Sequence, residues 1–280
     1  MRVVIRLAVP AAALAALVTL AGCRRADGPK VTLRYRPPTG ATYHYALEQQ
    51  KSIKLEAGPV AQPGEDRTVR LFYTQAVTGP TAGGTGVTLT YDSTTMRPEG
   101  LAPALDRMRG LKSDLVYDER MRVVSAHFLG IEGQPSPLTE QLEQSVRSAN
   151  LPLPEAPVGV GDSWTSEAEL PVVQALGATG PLKSRTRRTV KEIQVAGADT
   201  SVVLTVETTF PGEPVAINLQ GRAAKVKLTG TLTGEEQFSL ARSAVVRSST
   251  GGTMRIAVEG ADGMTMAVEQ QTSLRLAGAP

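Results

Sequence analysis

Cysteine is nearly missing from this chain: Cys23 is the only one among 280 residues. A single thiol closes no disulfide within the chain and builds no cysteine metal cluster. Aromatic side chains are scarce too, with one Trp, four Phe and six Tyr. That argues against aromatic sugar platforms and against the base-stacking surfaces of single-strand nucleic-acid binders. Histidine occurs twice, as His44 and His127. A metal site or a Ser-His-Asp centre needs such residues in a converging cluster, and the sequence does not bring these two together. Beyond residue 20 no apolar run approaches the roughly 20 residues of a membrane-spanning helix. Charge of one sign is lacking as well. The formal charge is +3, and Arg2 and Arg6 supply two of the positive charges, which leaves no case for a nucleic-acid partner.

What is present begins with an address. Arg2 and Arg6 precede an uncharged stretch of 14 residues from Leu7 to Leu20, the cationic start and short apolar core of a secretory leader. It ends in Leu20-Ala21-Gly22-Cys23, which resembles the lipobox of bacterial lipoproteins. The resemblance implies acylation of the Cys23 thiol, cleavage just before it, and a covalent lipid such as palmitate as the only added group. Residues 1–22 are then a leader, and 23–30 form a polar, lipidated tether. Arg24, by resemblance to enterobacterial lipoproteins, implies export to the outer membrane on its periplasmic side.

The rest of the chain has a period of two. Tyr43, Tyr45 and Leu47 alternate with His44, Ala46 and Glu48. The same alternation recurs through Val69–Val77, Val87–Tyr91, Val202–Phe210, Met254–Val258 and Met264–Val268. Glycine-containing turns separate these stretches, and Val and Thr dominate them, as suits a pleated surface. The fold expected is mostly β, in antiparallel sheets. One helix is expected over 136–150, with Ser136 as cap and Pro137 in its first turn. Its apolar side carries Leu138, Leu142, Val146 and Ala149, and Leu151-Pro152-Leu153-Pro154 stops it. A shorter helix is expected near 102–109.

The two halves echo one another. Gly40-Ala41-Thr42-Tyr43 matches Gly161-Asp162-Ser163-Trp164 at an offset of 121. Residues 68–77 match 186–195 at 118, Val87–Thr90 matches Val202–Thr205 at 115, and Gly110 and Tyr117 match Gly230 and Phe238. The pattern predicts two similar β units, 31–135 and 156–280, joined by the helix and proline-rich connector of 136–155. Each is expected to be a half-barrel or a sandwich.

Leu115-Val116-Tyr117-Asp118 leading to Val123-Val124, followed by a proline-rich stretch into Val160-Gly161-Asp162-Ser163-Trp164, resembles a group of uncharacterised bacterial lipoproteins. Glu119-Arg120-Met121-Arg122 replaces that group's turn glycine. The group supplies no activity to carry over. A curved antiparallel sheet with a helix is also similar, at the level of fold, to the lipoprotein-carrier half-barrels of the LolA and LolB type. That likeness implies an apolar concavity able to hold an acyl chain.

Candidate chemistry is thin. Ser163 lacks a nucleophile elbow and an arranged base, so Asp162 is expected to cap a turn and Trp164 to fill a core. Gly83-Gly84-Thr85-Gly86 has no following lysine and reads as a hairpin turn rather than a phosphate loop. Lys183, Arg185, Arg187 and Lys191, with Lys225 and Lys227, form either a stripe facing anionic headgroups or an ordinary solvent-facing strand surface. Met254, Met264 and Met266 suit an adaptable apolar lining or a plain core. Asp118, Glu119 and Asp162 are the carboxylates a hidden hydrolase would need. The sequence therefore predicts a non-enzymatic, membrane-anchored envelope lipoprotein that binds a hydrophobic ligand or an envelope protein partner. A purely structural lipoprotein is the alternative, and an unrecognised hydrolase the third.

Overall fold

The computed structural model describes residues 28–57, 60–61, 64–99, 108–129, 143, 146, 152–170, 180–219, 222–260 and 264–277. The leader, Cys23 with Leu20, Ala21 and Gly22, and most of both expected helices lie outside the described residues. Glu143 and Val146 are helical, and Met108 and Arg109 occupy a turn.

Among the described residues thirteen strands form one sheet. They are β1 (Thr42–Ala57), β2 (Val60–Ala61), β3 (Glu65–Thr81), β4 (Gly84–Arg97), β5 (Lys112–Tyr117), β6 (Val123–Leu129) and β7 (Ser163–Leu170). After these come β8 (Leu182–Ala196), β9 (Asp199–Pro211), β10 (Val215–Leu219), β11 (Arg222–Ser239), β12 (Ala244–Glu259) and β13 (Met264–Leu276). The order is β6-β5-β4-β3-β1-β13-β12-β11-β9-β8-β7, with β10 on β11 and β2 on β1. Every pairing is antiparallel. The sheet stays open between β6 and β7, so the architecture is a single curved sheet rather than a sandwich. Among the described residues no helix is long and apolar enough to cross a membrane.

Both halves are meanders, and they join where β1 pairs β13. Their backbone details repeat. The Gly40 N–H donates to the Val77 carbonyl, and the Val77 N–H donates to Ala41. Gly161, Val190 and Asp162 make the same two bonds. Gly40 and Gly161 both hold positive φ, 79° and 86°, which a side-chain-bearing residue rarely adopts. A bulge follows each valine, between Val77 and Gly79 and between Val190 and Glu192. A further bulge immediately precedes Tyr117 on β5 and Phe238 on β11. The matched residues are thus Val77 with Val190, Val87 with Leu204, and Tyr117 with Phe238. The echo of 68–77 in 186–195 slips by five residues, because alternating Val/Thr strands look alike in several registers. Gly110 lies in a turn and Gly230 inside β11, so that pair does not match.

The sheet curls. Val87 on β4 packs in one cluster with Val202 and Leu204 on β9, although five strands separate them in the sheet order. Leu33, Tyr35, Leu153 and Val158 plug this end, brought together by a bridge between Val31 and Val158. Arg34 ties the two segments further, donating from Nη1 to the Pro154 carbonyl at 2.9 Å. The β6 edge is guarded as well, because the Phe128 N–H donates to the Glu143 carboxylate at 3.0 Å.

Candidate functional site

Strand alternation divides the sheet into two chemically distinct faces. Among the described residues the inner face holds four apolar clusters. At the plugged end are Tyr43, Tyr45 and Val77, with the Tyr45 and Tyr73 rings stacked at 5.1 Å. Desolvation raises the Tyr35, Tyr45 and Tyr73 phenols far above their ordinary value. The Tyr117 phenol is pushed up to about 12, burial again being the main cause. At the opposite end Leu182, Phe210, Ile217, Val226 and Leu228 are buried. There β10 pairs with β11 at the margin of the sheet.

Between these ends the inner face is half-buried and mixed: an aliphatic stretch on β12 and β13 is separated from the plugged end by a polar band of Gln49, Lys51, Thr250, Gln270 and Thr272. Met254 stands opposite Val268, and Ile256 stands opposite Met266. Met264, opposite Val258, continues the row in register. Leu232 extends this stretch onto β11, while Leu47, Leu71 and Leu274, also partly exposed, form a second patch beside the tyrosines of the plugged end. Leu47 is paired directly with Leu71 on one side and Leu274 on the other. Met254 and Met266 therefore share one face with the aliphatic residues, as an apolar lining requires.

Lys51 is a cation on this face, opposite Arg67 and Gln270. Desolvation, with the Arg67 charge adding to it, lowers its pKa.

The outer face is mainly polar, with Phe72 as an exposed apolar exception. A hollow of about 990 Å³ lies against it, lined by residues such as Gln50, Asp66, Glu235, Arg247 and Gln271. The basic residues Lys183, Arg185 and Arg187 are exposed on this face of β8, each opposite an acidic or polar neighbour. Arg185 pairs with Glu167 at 2.9 Å, Arg187 lies opposite Glu207, and Lys183 lies opposite Glu169. Lys191 sits at the bulge and pairs with Glu235. Lys227 pairs with Glu259 at 2.6 Å, and Lys225 lies opposite the same residue. The row therefore presents alternating charge.

The carboxylates and hydroxyl considered for catalysis are each engaged locally. Asp118 accepts the Arg120 and Arg122 backbone N–H groups and pairs with the Arg122 side chain at 2.6 Å. Burial opposes its ionisation, but the Arg122 and Arg120 hydrogen bonds outweigh it and lower its pKa. Glu119 pairs with Arg36, and Asp162 accepts the Gly159 N–H at 2.9 Å. Ser163 accepts a bond from Arg187. His44 bonds Thr74 on the exposed face, and His127 is exposed on β6. No three metal-ligating side chains gather among the described residues. Trp164 is half-buried rather than fully plugged, because its indole N–H reaches the Pro152 carbonyl at 3.0 Å beside an open cleft.

The sequence reading missed Arg188 and Glu236, a pair almost wholly buried on the inner face. The signal was there: Leu182, Ser184, Thr186, Arg188 and Val190 share one parity, and Arg188 is the one charge among them.

No family model matches this chain. No curated protein matches it either. Among solved structures, one of lipovitellin, described by its lipid–protein interactions, aligns with 88% of this chain at 13% identity and a TM-score of 0.50. The chain spans 26% of lipovitellin's length. A LolA-superfamily protein from Nitrosomonas europaea aligns over 88% of this chain and 90% of its own, at 10% identity and a TM-score of 0.17. The lipovitellin match shows a shared fold, an open curved antiparallel sheet.

Proposed function

We propose that this chain is a non-enzymatic lipoprotein of the bacterial cell envelope whose curved sheet binds a hydrophobic ligand on its inner face. Acyl chains on Cys23 hold it to the outer membrane on the periplasmic side, through the tether of 23–30. Two β units, 31–135 and 156–280, bridged by 136–155, build the binding body. The observation that carries this reading is the half-buried aliphatic and methionine surface of Leu232, Met254, Ile256 and Met266 on an open sheet. An extended apolar surface on a folded chain marks a place for a partner or ligand, and methionine suits one of variable shape. The fold shared with lipovitellin, a protein with lipid–protein interactions, supports the same reading.

Each methylene of an acyl chain laid on such a surface contributes about 0.8 kcal/mol. A chain of ordinary length is then held firmly without any charged contact. The test is native mass spectrometry of the full-length protein, expressed in a bacterial envelope and purified in mild detergent, followed by solvent extraction. The expected result is a stoichiometric mass beyond the covalent anchor that extracts as an acyl lipid. The companion Cys23→Ala variant is expected to lose detergent-phase partitioning. Finding the anchor mass alone, with nothing extractable, would remove the ligand-binding role.

A further inference from the structure

A row of polar side chains interrupts the apolar face across β7, β8 and β9. Ser166 stands opposite Thr186, and Thr186 stands opposite Thr208. The two threonine hydroxyls bond one another at 2.8 Å. Two residues along β8, Arg188 is 4% exposed. Its guanidinium crosses β9 to Glu236 on β11, with Nε at 2.8 Å and Nη2 at 3.3 Å from the carboxylate oxygens. Gly234, next on the same face of β11, contributes no side chain, so the strand beside the ion pair is bare.

Two groups in this row are left over. Arg188 Nη1 and the Ser166 hydroxyl are buried and have no hydrogen-bond partner among the described residues. Leaving a buried donor unmade is costly, and native proteins seldom tolerate it without a reason. Both groups sit on the face assigned to the ligand, and both can donate. Glu236 already balances the Arg188 charge, so the row offers hydrogen bonds without net charge. Such a site suits a neutral oxygen better than a carboxylate or phosphate. A plain hydrocarbon laid across it would bury both donors unpaired.

The geometry points to a site for the uncharged carbonyl oxygens of an acyl ester or amide. The carbonyl end of the ligand lies along Arg188 and Ser166, while its hydrocarbon runs over the aliphatic surface of β12 and β13. This assignment rests on the hydrophobic-ligand reading and adds to it the chemistry of the ligand's polar end.

The experiment uses the full-length protein, stripped of extractable lipid and held in a mild detergent. It is titrated with monoolein, 1-octadecene and oleate, three probes of matched chain length, and binding is read by native mass spectrometry. Monoolein is expected to bind about tenfold tighter than octadecene, the scale of one hydrogen bond to a charged donor. Oleate is expected to bind no tighter than monoolein. Ser166→Ala and the paired Arg188→Met/Glu236→Met variant should each shrink the ester preference, by weakening monoolein or by tightening octadecene once no donor is covered unpaired. Circular dichroism checks both folds, and Ser166→Ala, which keeps the ion pair, carries the test if the paired variant does not fold. A preference that survives the folded variants, or oleate as the tightest probe, would overturn the assignment. Octadecene bound as well as monoolein by the wild type would sink this inference alone. Binding of no probe would sink the hydrophobic-ligand reading with it.

Discussion

At the scale of single residues, the tyrosines show what burial does to an ionisable group. Tyr45 and Tyr73 stack on the inner face, and desolvation comes first among the causes that raise their pKa. A phenol that resists ionisation in the folded protein but ionises near 10 when unfolded favours unfolding as pH rises. Its contribution is complete below pH 10, then falls by about 1.4 kcal/mol per pH unit until the folded group ionises. We expect the urea midpoint to drop steadily from pH 10 to 12, with a smaller drop in the Tyr45→Phe/Tyr73→Phe variant. Ultraviolet titration of the native protein showing all six tyrosines ionising near pH 10 would contradict this. The alternation that places Tyr43 and Tyr45 on the buried face is readable from the sequence alone. Arg188 was harder to read, because Arg187 beside it belongs to the exposed row and one residue decides the face.

At the scale of elements, the strands themselves were legible and their irregularities were not. Periodicity locates β1, β3, β9 and β12, but it does not mark the bulges after Val77 and Val190 that reset which side chains face inward. Nor does it reveal that β11 and β12 approach so closely. A Cβ built on Gly234 would lie 1.9 Å from the Ser249 carbonyl oxygen, and one on Gly252 would lie 2.2 Å from that of Thr231. These contacts are with backbone, which cannot swing aside, so glycine is required for the strands to pass. Gly234→Ala is therefore expected to cost about 3 kcal/mol, the upper range for forced overpacking. The exposed neighbour Thr233→Ala should shift stability by no more than about 0.5 kcal/mol. Equal denaturation midpoints for the two variants would show that the strands separate freely here. The duplication was visible in Gly40 and Gly161, whose backbone bonds repeat, and misaligned in the Val/Thr strands, where several registers look alike.

At the scale of the whole molecule, the sequence announced a mostly β body but not its shape. Nothing in a local pattern says that β1 pairs β13, or that Val87 and Leu204 share one core cluster across five intervening strands. Those facts follow from how the twist of a long sheet accumulates. They matter because the curl gives the two faces different work. Most aromatic and aliphatic residues turn inward, Phe72 on β3 being an exposed exception, while Lys183, Arg185 and Arg187 face outward among acidic neighbours. The central claim is that a hydrocarbon lies on the inner face. The most direct measurement is photo-crosslinking of the purified protein with an acyl chain carrying a diazirine, followed by peptide mass spectrometry. The account predicts adducts on alternate residues of β12 and β13, at Met254, Ile256 and Met266, and few at Thr253, Arg255 or Ala267. Adducts that ignore this alternation, or that gather on the polar outer face, would contradict it.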